Sequence, residues 1–530
     1  MTTNPVLNKL ILDQSKCDRM NVQFPSYNRD QLKHGIVHLS VGNFHRSHLA
    51  YYMDILASDY KQTEWGIVGI GVRSVDRPMS AVLKAQHGLY TLVSKGRDEN
   101  DVHVRVIGSL IDYVFAPDEP LEAMAVLVHP NTKIVSMTIT VAGYDFDVNQ
   151  ADIQHDLTNA DRPKTIFGLL VHALDARRQG NEKPFTVLSC DNVQHNGDVT
   201  RKHLLKFARE LHKPELIDYI QTKVTFPNAM GKNVEARRDM RENFFDLVDR
   251  ITPVTTDTDR EYVRSNCGLA DGWPVIAEHY IQWVVEDSFC NGRPPLELLS
   301  SSSYNVLMTN DVEPYEFMKM RLLNASHTAM SSLGYLMGYI YIHEIITDEH
   351  VKIYIQQLMD REITPILPEV PGIDFDQYKQ TLIERFANPT IKDKAVRICM
   401  DGASKFPKFI VPTILEQFKR GKNPHYFALT IAAWIRYLAG IDEHNQVIVL
   451  QDSLAMEHQL DRLAKGKQSS VREILSIKPI FDVVAENEEF IKKVERVVGL
   501  LYEIGAKETL KQWISEASTN DSDKYREFLL

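Results

Sequence analysis

Short β-rich runs alternate with helical patterns in the first part of the chain, and this alternation limits the fold more than any other feature. Residues 35–39 and 65–71 have the composition of buried strands, and apolar residues at helical spacing lie between them. Four later runs have the same character, namely 90–93, 102–107, 133–140 and 185–189. Strands that alternate with helices form parallel sheets with crossover connections, so we predict an α/β fold.

The hydrophobic period changes near residue 300. Pro294-Pro295 and a run of serines at 300–303 stand where the character changes, as at a domain boundary. We therefore predict an α/β domain over 1–300 and a predominantly α-helical domain over 301–530. The helical patterns that dominate the second part are 315–343, 378–386, 426–438 and 489–516.

The composition excludes several classes of protein. Of 530 residues, 44% are hydrophobic and 25% are charged, which is typical of a globular chain. The net charge of −11 gives no general attraction to nucleic acid or to anionic membranes. The five cysteines form no CxxC pair, so we expect a reduced, cytoplasmic protein without a zinc site. The nearly uncharged stretch 324–343 contains polar residues and is predicted to be a buried helix rather than a membrane span.

A candidate phosphate-binding turn follows the first predicted strand. Dinucleotide-binding folds place glycines there, because backbone N–H groups must approach the pyrophosphate closely. The turn reads Ser40-Val41-Gly42-Asn43-Phe44-His45, with one of three expected glycines, and an ordinary strand-to-helix turn is an equally good interpretation. Asp76 follows the second strand, where an acid accepts from the ribose 2′-hydroxyl and disfavours a 2′-phosphate. A solvated loop acid is the alternative there.

Four polar residues share one face of the predicted helix that begins the second domain. At about 100° per residue, Glu316 and His327 lie roughly 60–80° from Lys319. Asn324 lies roughly 140° from Lys319, whereas Arg321 points away. Such a face either lines a cleft or is solvated, and lysine and glutamate on helices are usually exposed. The uncharged sequence that follows favours burial.

Three further polar segments stand at predicted strand ends or turns. Ligands of open α/β sheets bind beyond the carboxyl ends of strands, which makes Asn192 a candidate donor into a site. Asparagine is also common in turns for conformational reasons alone. Asp249 lies in the second segment, and Arg397 and Lys405 flank Gly402 in the third, which by itself is also typical of a surface turn.

Taken together, these segments resemble the polyol-specific long-chain dehydrogenases, from Gly35 to beyond residue 500. The resemblance implies a Rossmann-type NAD-binding domain followed by a helical substrate domain. It implies a metal-independent, NAD-linked interconversion of a polyol and its 2-ketose, with D-mannitol and D-fructose as the expected pair. We expect a monomer whose partner is this small substrate, without nucleic acid or membrane. The motifs that carry the resemblance are Gly42-Asn43-Phe44-His45-Arg46-Ser47-His48, Ser189-Cys190-Asp191-Asn192, Val248-Asp249-Arg250-Ile251-Thr252-Pro253, the Lys319/Asn324/His327 helix and Asp401-Gly402-Ala403-Ser404-Lys405.

The resemblance also implies a role for each residue that matches a family motif. Lys319 matches the catalytic base, and Asn192 and Asn324 match the amides of an oxyanion hole. His327 matches a substrate-orienting group, and Glu316 matches a proton relay. The residues that match sugar-binding positions are Asp249, Arg397 and Lys405. Those that match the cofactor site are Gly42, Phe44, His45, Arg46 and Asp76, the last of which favours NAD.

The chain departs from the family pattern in four places, one of which is Val75, where some relatives carry a second acid. Ser40 stands where the family has a glycine, and Thr140-Val141-Ala142-Gly143 lacks an acid that the family has. Residues 231–247 form a charged insertion directly before Val248-Asp249, which we predict to be an exposed loop or a retained intron. Two alternative functions remain open: a reductase of hexuronates of the fructuronate or tagaturonate type, and a relative that has lost turnover.

Overall fold

The computed structural model divides into two compact units. One contains the described residues up to Glu313, and the other is Pro314–Leu530, whereas the sequence predicts a boundary near residue 300. Within the residues that the structure describes, side chains are placed at every position except 248–249 and 518–527. The described residues are 22–98, 100–139, 144, 147–191, 195–228, 248–249, 257–301 and 303–527.

The first unit contains strands and helices. Its described strands are β1 (Val22–Gln23), β2 (His34–Leu39), β3 (Gly66–Gly71), β4 (Tyr90–Lys95), β5 (Val102–Ile107), β6 (Leu110–Phe115), β7 (Ile134–Met137), β8 (Thr186–Ser189), β9 (Val248–Asp249), β10 (Val275–Glu278), β11 (Gln282–Glu286) and β12 (Val306–Thr309). Its α-helices are α1 (Asn43–Ser47), α2 (Leu49–Tyr60), α3 (Arg77–Ala85), α4 (Pro120–Val128), α5 (Ala151–Thr158), α6 (Ile166–Gln179), α7 (Asn196–Glu210), α8 (Pro214–Thr222) and α9 (Asp257–Cys267).

Five strands form a parallel sheet in the order β6-β3-β2-β7-β8. Within this sheet, the first strand along the chain is β2, at the centre. The chain then continues outward through β3 and β6 and returns to β7, on the other side of β2. The order therefore reverses between β2 and β7, whose carboxyl ends form the crevice where sheets of this kind bind ligands. This sheet confirms the predicted α/β, Rossmann-type fold.

Alternate side chains of the parallel sheet enter two different cores, as the two-residue period of a strand requires. From β2, Val37 packs into the core that contains Leu170 of α6 and Phe207 of α7. Its neighbour Ile36 packs into the opposite core with Tyr52 of α2. Both faces of the sheet are thus covered, which explains why its strands are buried and rich in apolar residues.

A second sheet has the order β1-β5-β4-β10. In it β4 pairs antiparallel with β5 and parallel with β10. The sequence pattern placed β4 and β5 in the parallel layer, and this expectation is wrong. Six residues separate the two strands, whereas a parallel crossover needs about a dozen or more. A third sheet joins β12, β11 and β9.

The second unit is helical, which confirms the predicted class of this part of the chain. Two π-helical turns, Lys319–Asn324 and Leu358–Ile363, interrupt its α-helices. No helix among the described residues is both long and apolar enough to cross a membrane. The α-helices are α10 (Glu313–Met318), α11 (Ala325–Leu336), α12 (Ile342–Thr347), α13 (Glu349–Gln357), α14 (Phe375–Phe386), α15 (Ala395–Cys399), α16 (Gly402–Phe409), α17 (Val411–Lys419), α18 (Tyr426–Leu438), α19 (Ser453–Glu457), α20 (Leu460–Leu463), α21 (Val471–Leu475), α22 (Lys478–Phe481), α23 (Glu488–Glu503) and α24 (Gly505–Glu527).

Helix α18 is the centre of the second unit. Every residue of it is buried, and α11 and α23 pack against it, as expected of a helix that is apolar on all sides. Its first turn is capped from a distance by Glu362, whose carboxylate accepts from the backbone N–H groups of His425, Tyr426 and Phe427. Burial raises the pKa of Glu362 to about 7.

Candidate active site

The turn that follows β2 passes through a residue in the left-handed backbone region. Ser40 has a φ of 64°, a conformation that glycine adopts at little cost and other residues rarely adopt. Its N–H donates to the carbonyl of Ile70 at 2.8 Å, and its own carbonyl accepts from Oγ1 of Thr138 at 2.9 Å. These bonds hold the turn in a conformation that a glycine would adopt at little cost.

Gly42 caps the start of α1 and leaves open space beside the backbone. A Cβ added there would meet only the carbonyl oxygen of Ser40, at 4.0 Å, among the described atoms. The position stands just beyond the carboxyl end of β2, where the strand order reverses. A diphosphate therefore has room to approach the backbone, so the turn fits a dinucleotide.

The carboxylate of Asp76 is fixed just beyond the neighbouring strand, β3. Its Oδ2 accepts from the backbone N–H of Val72 at 3.2 Å and from that of Arg73 at 3.0 Å. The backbone thus sets the orientation of the carboxylate at the strand end where folds of this type bind a ribose hydroxyl.

Phe44 and His45 lie in α1 and have different surroundings. Phe44 is half-buried, with its ring centroid 5.2 Å from that of His48. His45 is buried and stacks on His38, with 3.6 Å between the ring centroids. Burial lowers the pKa of His45 far below its usual range, so the ring is neutral. Neither of its ring nitrogens has a hydrogen-bond partner in the described part of the chain.

Arg46 is fully buried and contacts the scaffold of the first unit. Its guanidinium donates to the carbonyl of Trp273 and to Oδ1 of Asn43, the latter at 2.6 Å. The hydroxyl of Tyr90 in turn donates to the carbonyl of Arg46 at 2.6 Å. The side chain therefore braces α1 against β4 and the segment before β10, and its cofactor role stays a prediction.

Asn192, a predicted amide donor, lies outside the described residues. Its neighbour Asp191 is buried and ties two strand ends together. Oδ1 of Asp191 accepts from the N–H of Ile139 at 2.7 Å, and Oδ2 accepts from the hydroxyl of Tyr144 at 2.8 Å. These bonds fix the chain just beyond β7 and β8, immediately before the predicted donor.

Asp249 lies in β9, where it pairs with Gln282 of β11 in antiparallel register. The insertion at 231–247 and the departures at 140–143 lie outside the described residues. The sugar-binding role of Asp249 and the nature of the insertion therefore stay predictions.

The four polar residues of the predicted catalytic helix are all buried in the second unit. Glu316, Lys319, Asn324 and His327 expose 1%, 5%, 4% and 8% of their surfaces. The interpretation of a solvated face is therefore wrong. A carboxylate, an amine, an amide and an imidazole on one buried helix are groups that acid–base chemistry and alkoxide stabilisation use.

A π-helical turn, Lys319–Asn324, joins α10 to α11. The N–H of Ala325 donates to the carbonyl of Met320, five residues back. In a regular α-helix, residues five apart lie about 140° apart around the axis, and the wider π turn reduces this angle. It therefore brings Lys319 and Asn324 closer to one side than the helical periodicity predicted, in a geometry that recurs at functional sites.

His327 lies beside a carboxylate of the neighbouring segment. Its Nε2 lies 3.7 Å from Oδ2 of Asp393, and its ring centroid lies 5.1 Å from that of Phe386. Burial lowers the pKa of His327 to about 4, and this outweighs the opposite effect of Asp393. The imidazole is therefore neutral at physiological pH and can both donate and accept a hydrogen bond.

Asp393 was not found from the sequence, although it connects two predicted residues. Its two carboxylate oxygens accept from Nε and from one terminal nitrogen of Arg397, each at 2.6 Å. Burial raises the pKa of Asp393, but the hydrogen bonds and charge of Arg397 outweigh it and hold the pKa below its usual range. The i, i+4 spacing of the two residues is the signal that could have revealed the pair.

Lys405 lies in α16, close to the end of α15. Its Nζ donates to the carbonyls of Ile398 and Met400, both at 2.6 Å. Burial lowers the pKa of Lys405 to about 8, and Arg397 acts in the same direction. Because α15 and α16 both pack against α11, the second unit brings Arg397, Asp393 and Lys405 to the helix that carries His327.

The parallel sheet, the open turn at Gly42 and the anchored acid at Asp76 define a dinucleotide-linked oxidoreductase. The chain belongs to the mannitol dehydrogenase family. The model of the family's Rossmann domain matches residues 34–298, and that of its C-terminal domain matches residues 311–501. The prediction of a polyol-specific long-chain dehydrogenase is thereby confirmed.

Similar proteins cover nearly the whole chain. Mannitol 2-dehydrogenase of Phaeosphaeria nodorum is 41% identical over 93% of this chain and 84% of its own. Mannitol dehydrogenase 2 of Saccharomyces cerevisiae is 37% identical over 97% and 99% of the two chains.

Two solved structures are also similar. One is Pseudomonas fluorescens mannitol 2-dehydrogenase in a ternary complex with NAD and D-mannitol, with 40% identity, a TM-score of 0.82 and coverage of 96% of this chain and 100% of that one. The other is D-sorbitol dehydrogenase in substrate-free form, with 33% identity, a TM-score of 0.83 and the same coverage.

Proposed function

We propose that this chain interconverts a polyol and its 2-ketose, most directly D-mannitol and D-fructose, with Lys319 as the base and without a metal ion. The broader class, an NAD-dependent polyol dehydrogenase, follows from membership of the mannitol dehydrogenase family. The observation that carries the finer proposal is the burial of Lys319, Asn324 and His327 on one helix. The mannitol 2-dehydrogenase that is 40% identical to this chain binds NAD and D-mannitol.

NAD, when bound, accepts a hydride from the carbinol carbon of the polyol. The residues that would hold it are on the first unit. The open backbone at Gly42 would receive the diphosphate, and the anchored carboxylate of Asp76 would accept from the ribose hydroxyls. A carboxylate at this position repels a 2′-phosphate, so we expect NAD to be preferred over NADP.

Lys319 would take the proton of the reacting hydroxyl at its Nζ. Burial disfavours a charged amine, which is the condition that a lysine base needs near neutral pH. Glu316, one helical turn earlier and 1% exposed, would then relay the proton from Lys319 towards solvent. The reverse direction, ketose reduction, uses the same groups in the opposite order.

Asn324 would donate to the oxygen on which negative charge develops. Its Nδ2 now lies 3.2 Å from Sδ of Met320, and a thioether is a weak acceptor that an alkoxide readily replaces. Asn192 would supply the second amide. The hydrogen bonds of Asp191, which fix the chain immediately before Asn192, support this role. Amide donors and a base of this kind would make a Lewis acid unnecessary in the proposed reaction.

His327 would hold the substrate rather than take its proton, because its low pKa keeps it neutral. Nε2 of His327 has no hydrogen-bond partner among the described residues and lies 3.7 Å from Oδ2 of Asp393, so a substrate hydroxyl would bind on this side of the ring. Arg397 and Lys405, which the second unit brings near this helix, would bind hydroxyls further along the polyol, and Asp249 would do the same.

Oxidation of NADH in the presence of single substrates tests the proposal directly. We expect D-fructose to support turnover, and D-mannitol to be oxidised with NAD. A matched panel of D-sorbitol, other polyols and the hexuronates fructuronate and tagaturonate identifies the preferred substrate. A higher kcat/KM for a hexuronate than for fructose would favour the alternative reductase, and failure of every compound with a folded, NADH-binding protein would indicate a relative that has lost turnover.

The proposal places this reaction in the cytoplasm and in a monomer. The described cysteines Cys190, Cys267, Cys290 and Cys399 are all free thiols, which supports a reducing compartment. Light scattering coupled to size-exclusion chromatography tests the oligomeric state, and a mass of twice the chain would contradict a monomer.

A further inference from the structure

Three side chains that coordinate metals well lie together at one end of the second sheet. Nε2 of His279 is 3.0 Å from Oδ1 of Asp101, and Nε2 of His103 is 3.8 Å from the same oxygen. The two imidazole centroids are 4.4 Å apart. One ligand atom from each of the three residues lies within 4.8 Å of the other two.

The local backbone prepares this arrangement. Strand β4 lies between β5, which carries His103, and β10, which ends one residue before His279. The N–H of His279 donates to the carbonyl of Lys95 at 3.2 Å, and the N–H of Gly96 donates to the carbonyl of Asp101 at 2.7 Å. The cluster therefore spans the end of β4 from both sides.

Gly96 is required by the position of the carboxylate. A Cβ on Gly96 would lie 1.8 Å from Oδ2 of Asp101 and 2.9 Å from Cδ2 of His279. Any other residue would displace the carboxylate or the imidazole. The absence of a side chain at Gly96 thus leaves room for the Asp101 carboxylate beside the two histidines.

We propose that Asp101, His103 and His279 bind a divalent transition-metal ion of the zinc type. Zinc binds imidazole nitrogen and carboxylate oxygen at about 2.0–2.2 Å, so neighbouring ligand atoms of a tetrahedral site lie about 3.4 Å apart. The observed 3.0 Å and 3.8 Å lie on either side of this distance. Two nitrogen ligands favour zinc, nickel or copper over magnesium and calcium, which prefer all-oxygen sites.

The exposure of the ligands indicates what the ion would do. The side chains of His103, Asp101 and His279 are 75%, 49% and 27% exposed, so an ion can enter and water can complete its coordination. The cluster shares no residue with the candidate catalytic set. A bound ion would join β5 to β10 across β4, and it would therefore stabilise the second sheet without entering the reaction.

Zinc titration of the full-length, tag-free protein after dialysis against a chelator tests this site. Isothermal titration calorimetry is expected to show one binding event for zinc and one for nickel, and none for magnesium. Because loss of even an outer-shell partner costs about 10- to 100-fold in metal affinity, His103→Gln and His279→Gln are each expected to weaken zinc binding at least about tenfold.

His350→Gln is the matched control. His350 also stands beside a carboxylate, with its Nδ1 3.7 Å from Oδ1 of Asp348, but this pair belongs to no three-ligand group among the described residues. Its loss is expected to leave zinc affinity unchanged. Zinc is also expected to slow amide exchange in residues 96–103 of the wild-type protein and not in the His279→Gln protein.

Two results would overturn the proposal. One is the absence of zinc binding in the micromolar range by a folded wild-type protein. The other is zinc binding of equal strength in the His103→Gln/His279→Gln double variant, which would place the ion elsewhere. Equal melting temperatures of wild type and variants without zinc show that the substitutions leave the fold intact, so that lost affinity is assigned to lost ligands.

Discussion

The turn after β2 and the helix that carries Lys319 both interrupt regular geometry, but they offer different groups to a ligand. In the turn, the polar side chains serve the scaffold: Arg46 donates to Trp273 and Asn43, and His45 stacks on His38. Gly42 offers a cofactor backbone and open space there. The helix instead presents its buried side chains. A cofactor can thus be recognised by the main chain, whereas proton transfer needs particular functional groups.

His45 and His327, which are both buried, show the same contrast. Both have strongly lowered pKa values because of burial. His38 and Arg46 lower the pKa of His45 further. Asp393 instead raises the pKa of His327 and so opposes the effect of burial. We expect substitutions of Lys319 and Asp393 in the second unit to lower turnover more than substitutions of Asp76 and Ser40 in the first unit.

The largest expected effect is that of Lys319→Ala. Loss of a general base should lower kcat about 10³-fold, while NADH affinity, measured by fluorescence titration, should remain within a few-fold of wild type. Arg321→Ala is the matched control, because Arg321 lies in the same π turn but stacks on Phe317, and its kcat should change little. Turnover by a folded Lys319→Ala protein within a few-fold of wild type would disprove the base assignment.

Asp393→Asn should have the next largest effect. It removes the charge that lies beside His327 and pairs with Arg397, so we expect kcat/KM for the polyol to fall about 10- to 100-fold through misorientation of Arg397. NADH affinity should not change, and Asp393→Glu should recover part of the loss. The control is Asp360→Asn, an exposed carboxylate that pairs with Lys379. Equal losses of kcat/KM in both variants would show that the effect comes from the change in net charge rather than from the position of Asp393.

Glu362→Gln should change the response of the second unit to pH. The pKa of Glu362 is raised from 4.5 to about 7 by burial, so between these values the folded state binds more protons than the unfolded state. The free energy of unfolding should therefore fall as pH rises from about 4.5 to 7, by an amount of order 1–3 kcal/mol.

Urea unfolding followed by the fluorescence of Trp434 and Trp513 measures this dependence. Glu362→Gln removes the titrating group but keeps one of the two acceptor oxygens at α18, and it should flatten the change between pH 5 and pH 8. Glu349→Gln, which replaces an exposed acid on α13, should leave the wild-type dependence in place. A wild-type curve that is flat over this range would contradict the raised pKa.

Asp76→Ala addresses the first unit. Removal of a charge near the ribose should narrow the preference for NAD over NADP by about five-fold. The reason is that the repulsion between two unit charges about 4 Å apart in water is worth roughly 1 kcal/mol. The comparison of kcat/KM for the two cofactors measures it. Asp112→Ala, which changes an exposed acid of β6, serves as the control. A preference for NADP in the wild type would refute the assigned role.

The smallest expected effect is that of Ser40→Gly. Relief of the left-handed conformation is worth about 1–2 kcal/mol, and the extra freedom of glycine in the unfolded chain takes back about 0.5–1 kcal/mol. We therefore expect a net gain near 0.5 kcal/mol in the free energy of unfolding, with NADH affinity unchanged. A loss of stability would show that the serine makes a compensating contact.

The sequence predicted those features that depend on local periodicity. Strand 102–107 and helix 426–438 have their predicted bounds because each has a clear pattern and ends in turn residues. The partner of a strand is a long-range property, which is why β4 and β5 were assigned to the wrong sheet. Strand β6 was missed, since Asp112 breaks its apolar run. The helix predicted at 489–516 is divided at Gly505, whose φ is 79°.

The candidate site was predictable to a similar degree. The residues of the catalytic helix could be named from spacing and resemblance, but their burial depends on α15, α16 and α18, which lie far along the chain. Asp393 was missed because its contact with His327 spans 66 residues, the difference between the two numbers. The π turn was missed because α-helical periodicity was assumed, and its register is set by tertiary packing.

The π turn also constrains how this segment can vary among related genes. In an α-helix, residues four apart lie about 40° apart and residues five apart about 140°. A single-codon deletion among positions 320–323 that restored a plain α-helix would thus keep the lysine and the asparagine on a common side. A change from the π turn to a plain α-helix without a deletion would instead place them about 140° apart around the axis. A related sequence with a gap in this segment should therefore lack the π turn. The number of residues between the lysine and the asparagine then indicates the local helix geometry in related proteins whose structures are unknown.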